Sequence, residues 1–259
     1  MANSRYEYVK QYEQDATLLP GCFIVVRVDG KGFTKFSELH GFEKPNDKRA
    51  LDLMDRCACE VLREFSDVRM GYGVSDEYSF VLAPSTALYG RRTSKIVSVL
   101  TSFFTASYVR WWGEHMGADA PLRATPAFDG RAVCYPNAAT LRDYLSWRQA
   151  DCHINNQYNT PYWCLVKSGA TPSEAQRTLA GSDAGFKNEL LFSRFGINYN
   201  ELPEQFRKGS VVVRARERFV AKVREDGTAV ERERGRVAVL HADIIGDAFW
   251  TERPETLAP

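Results

Sequence analysis

Two apolar runs flank a polar tripeptide in VRMGYGVSDEYSFVL, residues 68–82. Both runs are short and rich in β-branched and aromatic residues, which is typical of strands, and Ser75, Asp76 and Glu77 supply the turn between them. A turn needs only one Asp for its own backbone bonds. The stretch therefore predicts a β-hairpin and leaves its second carboxylate unexplained.

The segments around this hairpin complete a β-α-β-β-α-β order. Before it, the continuous apolar run CFIVVRVDG (residues 22–30) predicts a buried strand, and residues 45–65 predict a helix because apolar side chains recur at three- and four-residue steps. After it, residues 89–112 predict a second helix and residues 124–136 a further strand. The apolar stripe predicted for the second helix consists of Ile96, Leu100, Phe103, Phe104, Ser107 and Trp111. This order is that of the α+β, ferredoxin-like βαββαβ fold.

The remaining third of the chain predicts helices and a long hairpin. Residues 171–179 begin with a capping box, and residues 185–203 form a helical pattern that ends at Gly196. Residues 208–243 predict a hairpin that turns at Asp226-Gly227. Between positions 207 and 236 there are ten basic and five acidic residues. A solvated sheet edge is the simplest explanation of these charges, and an arm for oligomerisation is the alternative.

Composition excludes several classes of protein. The 259 residues are 44% hydrophobic but contain no apolar run long enough to span a membrane, and the first residues are polar, so we expect a protein of the cytosol or the nucleus. The six cysteines form no C-x-x-C pair and the four histidines show no ligand spacing, which argues against zinc and disulfides. The net charge of +1 means that a polyanion would have to meet a local basic patch.

The predicted topology explains the second carboxylate. The first strand should lie antiparallel to the third, so that Asp29 and Asp76 face each other although 47 residues separate them. Two facing carboxylates repel unless a cation lies between them. Oxygen ligands from two Asp side chains favour Mg²⁺, which usually binds through one or two carboxylates together with substrate phosphates. We therefore expect a site for a metal ion and a nucleotide.

Two other segments carry candidate binding residues. DGKGFTKF (residues 29–36) combines glycines, which let backbone N–H groups approach a polyphosphate, with lysines, although an ordinary loop would also fit. CHINNQYNT (residues 152–160) places three asparagines in a helical context that disfavours them. Recognition of a nucleotide or an RNA group would explain them, and a capped, polar helix start is the alternative.

With these motifs in this order, the chain resembles the eukaryotic histidine-tRNA guanylyltransferases over its full length. The family's D-G-x-x-F-x-x-F corresponds to residues 29–36, its S-D-E to residues 75–77, and its H-I-N-N-x-Y-N-T to residues 153–160. Thr34 is a departure, because many members carry histidine at that position. The resemblance implies a polymerase-like palm with helices on one face of an antiparallel sheet, followed by C-terminal helices and a hairpin arm.

The resemblance also implies an activity, which is addition of a guanosine to the 5′ end of histidine tRNA in the 3′ to 5′ direction. ATP adenylylates the 5′ phosphate, the 3′-OH of GTP displaces AMP, and pyrophosphate is then removed. Two Mg²⁺ ions would be held by Asp29, the Gly30 carbonyl and Asp76, and the catalytic residues would be Asp29, Asp76 and Glu77.

Further site residues follow from the same resemblance. Those implied for nucleotide binding are Asp29, Gly30, Lys31, Gly32, Phe33, Thr34, Lys44, Ser75, Asp76, Arg92 and Lys95. Those implied for tRNA and its 5′ end are His153, Asn155, Asn156, Asn159 and Lys187. A homotetramer is implied as well. We expect residues 1–136 to form the catalytic core and residues 137–259 a tRNA-contacting region packed with it as one globular unit.

Three rival functions stay open. A templated tRNA 5′-end repair polymerase would add several nucleotides to truncated tRNA, and a palm-type nucleotide cyclase would consume GTP with Mg²⁺ alone. A non-catalytic RNA-binding module using the basic arm would bind tRNA in a salt-dependent way, whether or not Asp76 is present.

Overall fold

The computed structural model describes residues 4–14, 16–223 and 229–258. Its strands are β1 (Phe23–Gly30), β2 (Val68–Val74), β3 (Glu77–Leu82), β4 (Phe128–Tyr135), β5 (Ser210–Val223) and β6 (Ala229–Leu240). Its α-helices are α1 (Phe33–Leu39), α2 (Lys48–Glu64), α3 (Thr93–Met116), α4 (Ala138–Lys167), α5 (Pro172–Leu179), α6 (Ala184–Phe195), α7 (Glu204–Lys208) and α8 (Ala248–Glu252). Single 3-10 turns occur at Glu7–Tyr12, Leu88–Arg91, Tyr199–Glu201 and Pro254–Thr256.

Within the described residues the strands form one antiparallel sheet of six, in the order β4-β1-β3-β2-β5-β6. The first four strands in that order have the ferredoxin-like arrangement, so the predicted fold class is confirmed. β1 pairs with β3 as expected, but the residue opposite Asp29 is Glu77, and the predicted partner Asp76 lies beside Gly30. The β5–β6 hairpin extends the sheet beyond β2, while its predicted turn at Asp226-Gly227 lies outside the described residues.

Helices cover both faces of this sheet, because alternate side chains of a strand point to opposite faces. On one face, α2 and α3 pack over β1 residues such as Ile24 and Val26, as expected for the palm. On the other, α4 and α8 pack over Phe23 and Val25, with Leu141 of α4 fully buried. The sequence thus encodes a three-layer structure with the sheet in the middle.

The ends of several helices follow the predicted capping chemistry. The N-cap of α2 is Asp47, whose side chain accepts from the Arg49 amide at 3.0 Å. α5 begins with the predicted capping box at Thr171, and α6 ends at Gly196, which has a φ of +66°. These boundaries could be predicted because a cap depends on residues within one turn of it.

The buried stripe of α3 was predicted correctly only in part. Ile96, Leu100, Phe104 and Ser107 are buried as expected, but the stripe continues through Tyr108 and Trp112. Phe103 and Trp111 are only partly buried. The reason is that α3 packs against both the sheet and α2, and the row of side chains that faces α2 is less deeply buried than the row turned away from it.

No helix among the described residues is long and apolar enough to cross a bilayer.

Two of the alternatives raised by the sequence are wrong. The segment after β1 is not an ordinary loop but contains α1, because Phe33 and Phe36 share one buried face of a short helix and stack at 4.8 Å. The asparagine-rich segment is not a polar helix start either, since it lies well inside α4, which begins at Ala138. Its buried member Asn156 finds side-chain partners elsewhere in the fold, and these offset the poor helix propensity of asparagine.

Candidate active site

The predicted catalytic carboxylates come from the end of β1 and from the β2–β3 turn. Antiparallel pairing puts Asp29 opposite Glu77, and the Gly30 amide donates to the Asp76 carbonyl at 3.0 Å. A Cβ atom at Gly30 would lie 2.8 Å from Asp76 Oδ2. The Asp76 carboxylate therefore lies directly against the Gly30 backbone, and only glycine leaves room for it there.

The electrostatics of this sheet edge favour a cation. Burial raises the pKa of Asp76, and the negative charge of Asp29 raises it further, while a hydrogen bond from Ser75 at 3.1 Å lowers it. A positive ion between the carboxylates would remove the repulsion. The described residues contain no cluster of three or more His, Cys, Asp or Glu side chains suited to a metal. Two carboxylates and a backbone carbonyl match the modest protein ligation of Mg²⁺.

Glu77 is held in a different way from its neighbour. Its carboxylate accepts from Arg148 at 3.3 Å and lies 3.5 Å from Arg27, and its side chain is only 12% exposed. Arg27 also donates to Asp29 Oδ2 at 3.4 Å. Burial raises the pKa of Glu77, whereas the two guanidinium groups lower it. Glu77 therefore fixes Arg27 beside Asp29, and Asp29 keeps 32% of its side chain exposed.

Arg27 and Arg148 are functional candidates that the sequence analysis missed. An arginine inside the apolar run of β1 is a signal that could have identified Arg27. Arg148 gives no such signal, because charged residues are ordinary in a helix such as α4. Only the fold brings it to Glu77, across 71 residues of sequence.

A cavity of about 190 Å³ opens beside Asp76. It lies between α1, the segment that follows it, the start of α2 and the β2–β3 turn. Its polar lining includes a cation, since Lys44 donates to Ser37 Oγ at 2.9 Å and its charge lowers the pKa of Asp76. The lining residues are Phe33, Thr34, Ser37, Phe42, Glu43, Lys44, Pro45, Asn46, Asp47, Ala50, Leu51, Met54, Ser75, Asp76 and Tyr108.

This cavity unites part of the predicted nucleotide-binding set with residues that were not predicted. Thr34, Lys44 and Ser75 line it together with Asp76, and Lys31 and Gly32 form the exposed turn between β1 and α1. Among the lining residues that were not predicted are Phe42, Glu43, Asn46 and Asp47. Asn46 and Asp47 precede the predicted helix and fit its N-cap, a pattern that does not indicate a binding site.

A second cavity of about 120 Å³ adjoins the first and shares Asn46 and Ser75 with it. One of its walls is the asparagine-rich face of α4, with Asn155 and Asn159 exposed. Asn156 is buried, accepts from Asn46 at 2.8 Å and donates to Tyr199 at 3.2 Å. The fold thus places this segment beside Ser75, 80 positions earlier in the chain and next to Asp76.

His153 lies at the margin of that α4 face. Its side chain is exposed, and its Nδ1 lies 3.3 Å from the Tyr199 hydroxyl. Lys187 lies on α6 and donates to the Ser182 carbonyl at 2.8 Å. Neither residue lines the two cavities.

Arg92 and Lys95 lie at the start of α3. Arg92 is the N-cap of α3 and donates to the Tyr89 carbonyl at 3.1 Å, while the Lys95 ammonium lies 5.0 Å from the Tyr89 ring. The preceding Arg91 donates to the carbonyls of Leu18 and Cys22, which lie just before β1. Neither Arg92 nor Lys95 lines the cavity beside Asp76 or the second cavity.

Comparisons with known proteins agree with this architecture. A family model described as tRNAHis guanylyltransferase matches residues 6–136, and one described as Thg1 C terminal domain matches residues 139–246. A tRNA(His) guanylyltransferase of Neurospora crassa is 50% identical, over 100% of this chain and 97% of that protein.

Solved structures are similar as well. The crystal structure of the Saccharomyces cerevisiae tRNA(His) guanylyltransferase superposes with a TM-score of 0.78 at 48% identity, covering 81% of this chain and 93% of that one. A bacterial Thg1-like protein in complex with ATP shares the fold, with a TM-score of 0.74 at 22% identity over 99% of this chain and 100% of that one.

Proposed function

This chain belongs to the tRNA(His) guanylyltransferase family, and on that premise we propose that it adds a guanosine to the 5′ end of histidine tRNA in the 3′ to 5′ direction. The observation that supports this activity most directly is the pair Asp29 and Asp76 at one sheet edge, beside a cavity that contains Lys44. Carboxylates next to a cationic cavity suit the transfer of a phosphorus centre from a nucleoside triphosphate.

The reaction has three steps. An oxygen of the tRNA 5′ phosphate attacks the α-phosphorus of ATP and releases pyrophosphate. The 3′-OH of GTP then attacks the activated 5′ phosphorus of the tRNA, with AMP as the leaving group. Hydrolysis finally removes pyrophosphate from the added nucleotide.

Asp29, the Gly30 carbonyl and Asp76 would hold two Mg²⁺ ions. Both carboxylates fit this role, because Asp76 is largely withdrawn from water and repelled by Asp29. When bound, Mg²⁺ orients the triphosphate and stabilises the charge that develops on the transferring phosphorus. Glu77 keeps Arg27 in place beside Asp29, so that a guanidinium group is available to a phosphate at the same edge.

The nucleotide would occupy the cavity beside Asp76. Phe33, Thr34, Lys44 and Ser75 face it, and the Lys31-Gly32 turn leads from it to Asp29. Lys44 neutralises negative charge there as a point charge. Arg92 and Lys95, at the start of α3, complete the proposed nucleotide-binding set, although neither lines this cavity.

The tRNA 5′ end would lie along the exposed face of α4. His153, Asn155 and Asn159 present polar groups at or beside the second cavity, which adjoins the nucleotide cavity. Amides offer a donor and an acceptor side by side, which suits nucleotide groups. Asn156 is buried under this face and stabilises it through hydrogen bonds to Asn46 and Tyr199. Lys187 supplies a positive charge on α6. We further propose a homotetramer that acts in the cytosol or the nucleus.

The decisive experiment uses 5′-labelled histidine tRNA with ATP, GTP and Mg²⁺ and resolves adenylylated from extended products. We expect adenylylated tRNA with ATP alone and one added guanosine when GTP is present. Templated addition of several nucleotides to truncated tRNA would instead identify a repair polymerase. Consumption of GTP without tRNA would identify a cyclase, and binding without either product would identify an RNA-binding module.

A further inference from the structure

The segment between α1 and α2, residues 42–47, forms one wall of the cavity beside Asp76. The two ends of this segment are joined, because the Glu43 amide donates to Asp47 Oδ2 at 3.0 Å. Its middle contains Pro45, which has no N–H group to donate. Contacts with another element hold the middle of this wall.

α4 supplies these contacts. Lys167 Nζ donates to the Lys44 carbonyl at 2.6 Å, and the Asn46 side chain donates to Asn156 Oδ1 at 2.8 Å. Asn156 precedes Lys167 by 11 residues, which is about three helical turns, so the two side chains lie on the same face of α4. No other described residue donates a hydrogen bond to the Lys44 carbonyl. α4 therefore holds the residues on either side of Pro45.

The side chain of Lys44 extends from this wall into the cavity. Its ammonium donates to Ser37 Oγ at 2.9 Å, and its charge lowers the pKa of Asp76. A lysine carries its charge on a flexible four-carbon stem, so the position of the ammonium depends on where the backbone is fixed. A shift of the Lys44 backbone would therefore move the positive charge relative to Asp76.

We propose that Lys167 is a positioning residue, whose hydrogen bond to the Lys44 carbonyl fixes the Lys44 ammonium where it meets the triphosphate of a bound nucleotide. Lys167 does not line the cavity, so it acts through Lys44 and not on the nucleotide. This inference rests on the proposed function, because it takes the cavity beside Asp76 as the nucleotide site.

The contact joins the two regions that the family models match. All residues that line the cavity lie between positions 33 and 108, inside the region matched over residues 6–136. Lys167 belongs to the region matched over residues 139–246. The nucleotide cavity is therefore shaped by the same helix that carries the proposed tRNA-binding face.

Binding of MgATP to the full-length chain, measured by isothermal titration calorimetry, tests this role. Lys167→Met removes the donor but keeps a long, unbranched side chain, and it should weaken binding roughly three- to tenfold, the equivalent of one exposed hydrogen bond. Lys167→Arg keeps a donor and should restore the affinity. Lys208→Met is the control, because it removes the same charge and a surface ion pair with Glu204 on α7, and it should bind MgATP as the wild type does.

A double-mutant cycle separates positioning from direct contact. Lys44→Ala should weaken MgATP binding at least as much as Lys167→Met. In the Lys44→Ala background, Lys167→Met should have little further effect, because the ammonium that it positions is gone. Additive losses would overturn the proposal, since Lys167 would then act independently of Lys44. Thermal unfolding of each variant separates lost affinity from lost folding.

The same measurements distinguish a failure of this inference from a failure of the proposed function. Wild-type affinity in Lys167→Met, together with weakened binding in Lys44→Ala, would overturn the role of Lys167 and leave the nucleotide cavity in place. Wild-type affinity in Lys44→Ala would overturn both. No step of the test uses tRNA, so a failure of guanosine transfer alone would overturn the proposed reaction and leave the role of Lys167 standing.

Discussion

The ring of Tyr78 packs against the backbone of Gly73, and this contact sets the position of the turn that carries Asp76. A Cβ atom at residue 73 would lie 2.2 Å from the ring. The ring cannot swing away without cost, because the Tyr78 hydroxyl donates to the buried Asp55 carboxylate at 2.7 Å. Because Gly73 has no side chain, the Tyr78 ring can make this contact, which holds β2, the turn and the Asp76 carboxylate in position.

We expect Gly73→Ala to lower the free energy of unfolding by about 1–3 kcal/mol, as is usual when a packed core is overfilled. Gly71→Ala is the matched control on the same strand, because its Cβ would lie no closer than 3.3 Å to any ring atom. Urea denaturation of both variants measures the difference. An equal loss in the two variants would contradict the role assigned to the Tyr78 contact.

Asp29 and Asp76 carry the chemistry of the proposed reaction. Asp29→Asn or Asp76→Asn should lower turnover by roughly a thousandfold or more, about 4 kcal/mol of barrier, while the protein stays folded. Adenylylation and guanosine transfer should fail together, because both need the same ions. The exposed Asp119→Asn is the control and should keep wild-type rates. Loss of only one step would instead indicate separate metal sites.

At the scale of elements, α4 combines buried residues that stabilise the fold with exposed residues that form the proposed binding surface. His153, Asn155 and Asn159 are exposed, whereas Asn156 is buried and bonded to Asn46 and Tyr199. Removal of a buried amide leaves its hydrogen-bond partners unsatisfied, whereas removal of an exposed amide does not. The loss of stability on substitution should therefore differ between the exposed and the buried residues of this motif.

Alanine at His153 or Asn155 should slow single-turnover guanylylation by about tenfold to a hundredfold, the equivalent of a lost contact to a charged group. Both variants should keep the wild-type melting temperature and GTP binding. Asn156→Ala should instead lower the melting temperature as well, because it unties α4 from Asn46. If the His153 and Asn155 variants lost stability and GTP binding together with activity, these residues would have a structural role and the proposed tRNA contact would be wrong.

Asp55 links four elements, since it accepts hydrogen bonds from Tyr78 on β3, Gln205 on α7 and Ser210 on β5. Burial raises the pKa of Asp55 above its ordinary value of 3.8, although these bonds lower it. An acid whose pKa is higher in the folded state stabilises folding in its protonated form. Its contribution is complete below the unfolded pKa and is lost as the pH rises through the folded pKa.

The stability of the wild type relative to Asp55→Asn should consequently fall as the pH rises from about 4, and become constant once the folded pKa has been passed. The amide is the right reference because it resembles the neutral acid and does not titrate. Urea denaturation of both proteins from about pH 4 to about pH 8 gives the difference. A difference that does not change with pH would show that Asp55 does not titrate differently in the two states.

At the scale of the whole molecule, one site must serve two successive transfers. Adenylylation only provides a leaving group on the 5′ phosphorus, so a tRNA that begins with a 5′ triphosphate already has one. Such a tRNA should accept guanosine without ATP, with pyrophosphate released in place of AMP. The measurement compares 5′-monophosphate and 5′-triphosphate histidine tRNA with GTP and Mg²⁺ alone. A strict need for ATP with both substrates would contradict the role of adenylylation.

Local chemistry made much of this protein predictable. Strand runs, helix periodicity and caps such as Asp47 and Gly196 depend on residues within a few positions of each other, so they can be identified without a structure. The β-α-β-β-α-β order then placed the end of β1 beside the start of β3, although the residue directly opposite Asp29 is Glu77 and not the predicted Asp76. That much is contained in the sequence.

Contacts between distant segments were decided only by the tertiary structure. Asn46 and Asn156 are 110 residues apart, and nothing local to either indicates their hydrogen bond. Arg148 contacts Glu77 in the same way, and Lys44 lines the cavity beside Asp76 while donating a hydrogen bond to Ser37 of α1. The physical reason is that propensity and periodicity report on neighbours along the chain, whereas burial, ion pairing and cavity shape depend on which surfaces meet when the layers pack.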